Sequence, residues 1–407
     1  MKINKFIPFA FIYFFLNSVG LPFGLTYMAV FSPLLYWWTI KQRGKEIVFP
    51  FLLALMPFVA LHLFFGVDKN AYIISFLNFV AIYIFCQAFY TFLKVCKDPE
   101  NIFRKLLIVN FILCLIAIPF YFTPYYDIFW IQQFFTAGVD NFRRLRLFTY
   151  EASYYATLLM PIFAFYLFQI IFKKNEIPVK ILLPMLFLPY ILSFSLGVIS
   201  ASIFAGLITY LFYLKSLTRK KRLLRILSVA GIAGVSILAF AMIFFPENSL
   251  FIRFNNIFSG NDNSGKGRTF EAFYLAGKII EQKSAAWGIG VGQVKIIGVK
   301  IIRDYYKYPP EYAITLPNAC AETLAMFGWI GLSIRLLTEI ILFFYTRVWT
   351  NYYRLLLFFF IFIYQFTGSF ITNLAEYVIW ILAFTNAFPQ FNARPSEKII
   401  KKQYSTE

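Results

Sequence analysis

Polar chemistry is scarce in this chain. It has one histidine, His62, and four cysteines (Cys86, Cys96, Cys114 and Cys320) whose spacing pairs none of them, so neither a disulfide framework nor a His/Cys metal cluster is implied. No Asp-x-Asp pair is present to hold a metal and a nucleotide sugar. Charged residues make up only 14% of the 407 positions, and acidic residues number 19 against 38 basic ones. Two glycine runs imitate nucleotide-binding motifs without completing them. Gly260-Asn-Asp-Asn-Ser-Gly265-Lys266 has the spacing of a phosphate loop, but Gly267 stands where a serine or threonine is required, and no strand precedes it. Gly288-Ile-Gly290-Val-Gly292 is one residue short of a dinucleotide fingerprint.

What is abundant is apolar surface. Hydrophobic residues reach 60%, more than a soluble domain could bury, so the bilayer must be part of the solvent. Apolar runs long enough to cross about 30 Å of hydrocarbon recur along the chain. Their continuous apolarity lacks the alternation of barrel strands, which leaves helices. The expected fold is an all-α polytopic membrane protein, one transmembrane domain over residues 1–407. Twelve helices are expected, near 6–20, 23–40, 47–66, 71–93, 106–122, 149–172, 181–194, 196–214, 226–245, 318–345, 355–371 and 374–388. The seventh and eighth share a tight turn near Ser193–Gly197. Lys2 and Lys5 before the first run, with Ser18-Val19-Gly20 after it, also resemble a signal peptide; retention as a helix is the preferred reading.

Lysine and arginine set the orientation. Of the 38 basic residues, 24 fall in one set of connections that includes both termini, which makes both termini cytoplasmic. This bias explains most of the +19 formal charge and leaves no call for a nucleic-acid role. Two sizeable segments then face outward, a shorter loop at 123–148 and a long one at 246–317, and neither glycine run meets an ATP pool there. His62 lies within the third helix and reads as a buried structural residue rather than a proton relay.

The short outer loop holds Arg143, Arg144 and Arg146 within four positions, where positive charge carries a topogenic cost. They could snorkel to lipid phosphates, or recognise a diphosphate, since guanidinium groups bind phosphate oxygens bidentately and stay charged. Glu151 follows at a helix start, where it complements the helix dipole or serves as a base or acceptor-binding group. Gly288, Gly290 and Gly292 form a tight turn beside the membrane surface, or bring backbone close to a substrate. Asn318 and Glu322 are four apart and share one helix face. Gly328 and Gly331 lie deeper, where small residues allow close packing. Arg335 and Glu339, again four apart, are expected to neutralise each other, a structural pair rather than a mechanistic one.

Four motifs in this order resemble the O-antigen polymerase and O-antigen ligase superfamily of bacterial polysaccharide assembly. They are the Arg-rich lead into Phe148-Thr-Tyr-Glu151-Ala-Ser153-Tyr-Tyr-Ala156; Leu192-Ser193-Phe-Ser195-Leu-Gly197; Ser264-Gly-Lys-Gly267-Arg268 with Trp287-Gly-Ile-Gly290-Val-Gly292-Gln293; and Asn318-x-x-x-Glu322 followed by Gly328 and Gly331. Together they cover about residues 140–335. Ala152 stands for the family's usual proline, Leu196 for an arginine, and Pro317 for the histidine that ligases carry before the asparagine.

The resemblance implies a GT-C-like fold in the bacterial inner membrane and a metal-independent, inverting glycosyl transfer at the periplasmic face, with no cofactor. A growing glycan on undecaprenyl diphosphate would pass to the next lipid-linked repeat unit of an O-antigen, capsule or exopolysaccharide. A flippase and a chain-length regulator would be its partners in the bilayer. Arg143, Arg144, Arg146 and Arg268 are the expected clamp on the departing diphosphate. Glu151 and Glu322 are both candidates for the group that accepts or orients the acceptor proton. Asn318, Gly288, Gly290, Gly292 and Arg303 complete the substrate-binding set. Tyr150, Tyr154 and Tyr155 suit sugar stacking or an interfacial belt. A ligase handing finished glycan to another acceptor is the alternative in the same chemistry, disfavoured by the missing histidine. A lipid-linked oligosaccharide flippase is the alternative of another class, disfavoured by the lack of internal repeats.

Overall fold

A computed structural model of the protein describes residues 7–15, 27–133, 142–172, 176–213, 267–307 and 315–393. Among these residues there are thirteen α-helices and one two-stranded hairpin. In chain order come α1 (Ile7–Phe15), α2 (Tyr27–Arg43), α3 (Val48–Phe64), α4 (Lys69–Val95) and α5 (Pro99–Phe120). The antiparallel strands β1 (Trp130–Gln133) and β2 (Phe142–Leu145) follow. Then come α6 (Ala152–Phe172), α7 (Val179–Ser193), α8 (Leu196–Phe212), α9 (Phe270–Ile280), α10 (Ile297–Tyr306), α11 (Ala319–Tyr345), α12 (Tyr352–Tyr364) and α13 (Leu374–Phe384). The helix expected over 226–245 lies outside the described residues, as do parts of both long connections.

Four helices, α4, α5, α6 and α11, are long and apolar enough to cross a membrane, and α3, α7, α8, α12 and α13 are shorter apolar helices. The protein is a membrane protein that is largely helical, with few strands, over the described residues. Within the segment 123–148, expected as the shorter outer loop, β1 and β2 pair Trp130 with Leu145 and Ile131 with Arg144. The long connection after α8 likewise contains two helices, α9 and α10.

Local chemistry explains the helix starts. Asp68 caps α4 by accepting from the Ala71 amide at 2.8 Å, and Asp98 caps α5 from Asn101 at 3.0 Å with Pro99 in the first turn. Asn318, Asn351 and Asn373 cap α11, α12 and α13 in the same way. α6 is apolar on every side and its side chains from Ala152 to Gln169 are almost all buried, the pattern of a central helix. Around it α5, α7, α8, α12 and α13 build the larger hydrophobic core, where Phe165 meets Phe103, Phe388 and Phe391 edge-on or tilted. A second, smaller core joins α9, α10 and the first half of α11 to Phe58 and Tyr72 of α3 and α4.

The connections gather at two ends. At one end, which carries the hairpin, Arg144 meets Ser193 and the Lys283 ammonium donates to the Gly66 carbonyl. Burial holds Lys283 below the ordinary lysine value. At the opposite end Arg104 pairs with Glu176 at 2.8 Å and Gln390 donates to Glu100 at 2.9 Å.

Candidate functional site

The site is built at the hairpin end. Residues alternate sides along a strand, so neighbouring arginines on β2 part company. Arg143 lies over the Tyr126 ring, 3.7 Å from its centroid, and donates to the Tyr121 carbonyl. Arg144 turns inward until only 4% of it is exposed, and its Nε donates to the Ser193 carbonyl at 3.0 Å. That carbonyl ends α7, which stops because Phe194 adopts a left-handed conformation (φ 43°) before α8 begins at Leu196. Arg146 donates to the Asp127 carbonyl at 2.6 Å. The three arginines therefore go to three different carbonyl partners. Arg144 thus ties the first motif to the second.

Glu151 immediately precedes α6. Its carboxylate pairs with Arg268 at 3.3 Å, and both side chains are partly shielded. Asn318 fixes the arginine's backbone. It is wholly buried, its Oδ1 caps α11, and its Nδ2 donates to the carbonyls of Arg268 at 2.8 Å and Phe366 at 2.7 Å. One fully used amide thus ties the third motif to the fourth and to the end of α12. Tyr364 of α12 joins the second motif to this group: its ring faces Gly197, its hydroxyl faces Ser153 and Thr157, and Arg268 and Glu151 lie within its electrostatic reach. Sequence reasoning missed Tyr364, which stands in a run of aromatic residues with nothing to single it out.

The glycines make protein contacts. α11 is broken at Gly328 (φ 68°, ψ −169°), and the segment 285–290 lies directly against the break. Four backbone bonds stitch them together: Ile289 to Ala325, Gly290 to Met326, Trp329 to Ala285 and Ile330 to Ala286, all 3.0–3.1 Å from amide to carbonyl. A Cβ on Gly288 would fall 2.5 Å from Met326 backbone atoms, and one on Gly328 2.3 Å from the Ala286 carbonyl oxygen. Only glycine at both positions permits this approach. Gly290 faces Tyr72 and Val67, and Gly292 faces Ser75 and Ala71 of α4. His62 is buried beneath the same segment, with Nε2 2.8 Å from the Trp287 carbonyl oxygen and Nδ1 3.2 Å from the Tyr72 hydroxyl, a structural placement.

Beside this framework is a cavity of about 370 Å³ whose wall includes Glu322, Lys295, Tyr150, Tyr154, Gly292 and Phe370. The Glu322 carboxylate accepts from the Ile371 amide at 2.7 Å. Lys295 is exposed and is the leading positive charge acting on Glu322. Tyr154 lies within electrostatic reach of both Glu322 and Glu151. Lys295 carries no motif signature in the sequence. Arg303 sits half-buried on α10 and is not part of this wall. Among the described residues no group of three or more histidine, cysteine or acidic side chains is placed to hold a metal ion.

No protein-family model matches the chain, and no curated protein matches it in sequence.

Proposed function

We propose that this chain is a polymerase of lipid-diphosphate-linked oligosaccharide repeat units, of the O-antigen polymerase type. The observation that carries the reading is the cavity whose wall holds Glu322 together with an exposed lysine and two tyrosines, one of which, Tyr154, is within electrostatic reach of Glu151 of the Arg268–Glu151 pair. A glycosyl transfer from a lipid diphosphate needs three things: a group to take or orient the acceptor proton, cations where charge develops on the leaving diphosphate, and apolar or aromatic surface for sugar rings. Glu322 supplies the first, Lys295 and Arg268 the second, Tyr150, Tyr154 and Phe370 the third. The acceptor hydroxyl attacks the anomeric carbon, the glycosyl–phosphate bond breaks, and the electron pair leaves with the diphosphate. Glu322 is preferred over Glu151 because Arg268 already engages Glu151. In this scheme Glu151 holds Arg268, while Arg144 holds the α7–α8 turn.

The same reading carries twelve membrane-spanning segments in a GT-C-like arrangement, including one over 226–245, in a bacterial inner membrane. Both termini are cytoplasmic, the site is periplasmic, and the partners are undecaprenyl-diphosphate-linked glycan, a flippase and a chain-length regulator. Polymerase is preferred to ligase because Pro317 precedes Asn318, and the only histidine binds the Trp287 carbonyl. The test is the glycan pattern on a gel from cells lacking the protein and from cells with it restored. Single repeat units on the final acceptor, becoming a ladder on restoration and not with Glu322→Gln, are expected. Finished polymer stranded on the lipid carrier would replace the reading with a ligase. Units trapped inside the cell would replace it with a flippase.

A further inference from the structure

Resting on that reading of Glu322, we propose that Arg335 is a positioning residue for it, holding the helix turn that carries Glu322 and the loop that hydrogen-bonds it against one largely shielded guanidinium. The break at Gly328 separates Glu322 from Arg335, so regular helix bonding does not run unbroken from one to the other. Arg335 crosses the break with a side chain instead. Its Nη1 donates at 3.1 Å to Oγ1 of Thr323, the residue next to Glu322.

A second branch reaches the loop between α12 and α13. Nη2 contacts Glu376, whose other oxygen accepts from Ser369 Oγ at 2.6 Å, and Asn373 Nδ2 donates to the same hydroxyl at 3.1 Å. Two residues beyond Ser369, the Ile371 amide makes the 2.7 Å bond to Glu322, and Tyr377, next to Glu376, donates to the Ile371 carbonyl at 2.7 Å. The third branch is a brace. Nε donates to Gln365 at 3.0 Å and to Glu339 at 3.3 Å, and Gln365 donates back to Glu339 at 2.7 Å. The pairing expected between Arg335 and Glu339 is thus one side of a larger network, with Glu376 the closer carboxylate.

Gln365 and Glu376 are wholly buried, and Thr323 and Ser369 nearly so. A guanidinium with two carboxylates in an apolar setting is expensive to bury, and well-packed apolar residues could replace it if filling space were all it did. What apolar residues could not do is fix two separate backbones relative to one carboxylate. Lys295, Arg335, Glu376, Tyr154 and Tyr377 all lie within electrostatic reach of Glu322, so Arg335 also bears on the carboxylate electrostatically.

The test is a double-mutant cycle on the full chain in lipid nanodiscs, with undecaprenyl-diphosphate-linked repeat units extracted from cells lacking the protein. Arg335→Lys and Ser369→Ala are each made alone and on a Glu322→Gln background. The serine variant removes one hydroxyl and leaves the charges in place, so it remains informative if the arginine variant does not fold. Expected is a loss of about tenfold or more in the saturated rate, at nearly constant KM, because a small misplacement costs that much. On the Glu322→Gln background the same changes should cost less than about twofold more. Equal losses in both backgrounds would overturn the proposal and leave the network a purely structural brace. Full activity of Glu322→Gln by itself would overturn the functional reading beneath it, a different result from additivity.

Discussion

Arg144 and Arg143 are adjacent, yet their substitution should separate cleanly. Arg144 is buried and gives its Nε proton to the carbonyl that ends α7. Arg144→Ala removes that donor, which costs about 1–3 kcal/mol when the acceptor is left buried. Less protein in the membrane by immunoblot and a lost ladder are expected. Arg143 sits over an aromatic ring nearer the surface, an interaction of about 0.5–1 kcal/mol. Arg143→Ala should keep both protein and ladder. Lys295 makes the complementary case. As an exposed side chain it contributes little packing, so Lys295→Ala should leave protein abundance unchanged. It should still lower the polymerisation rate by about a hundredfold to a thousandfold, the range for removing one charge-stabilising group. A normal rate would remove Lys295 from the site.

At the scale of elements, the decisive feature is the broken α11 and the segment stitched to it. Gly288 has φ 77° and no room for a Cβ against the Met326 backbone. Gly288→Ala combines left-handed strain of about 1–2 kcal/mol with overpacking of about 1–3 kcal/mol. A clearly lowered unfolding temperature in detergent is the expected result. An unchanged temperature would mean that segment 285–290 is not docked on the break. The hairpin is the second such feature. It parts Arg143 from Arg144 by strand alternation, one over the Tyr126 ring and the other turned inward to Ser193, which no count of charges in a loop could foretell.

At the scale of the whole molecule, the connections grouped by lysine and arginine bias meet one another at the same end. Arg104 with Glu176 and Gln390 with Glu100 belong to one group; Lys283 with Gly66 and Arg144 with Ser193 belong to the other. Reporter fusions should reproduce this division. A periplasm-active reporter is expected to be silent after Lys97 and Glu176 and active after Gly66 and Gln282; the reverse pattern would invert the proposed orientation.

Much of this was legible along the chain. Apolar runs determined where helices form, because a backbone in hydrocarbon must satisfy its own polar groups. Asn318 and Glu322 could be placed on one helix face because that follows from spacing within a single element, and Ser193–Gly197 at a tight turn because it is local to a few consecutive residues. Spacing could not say which surface each element would meet. That the arginines would find three separate carbonyls, that Gly288 would face Gly328, and that Lys295 would stand beside Glu322 depended on segments brought together from far apart, as Trp287 is to His62 across 225 residues. Periodicity along one helix determines a face; only packing between helices decides what lies across from it, and the cavity, the Glu151–Arg268 pair and the Arg335 network all lie across.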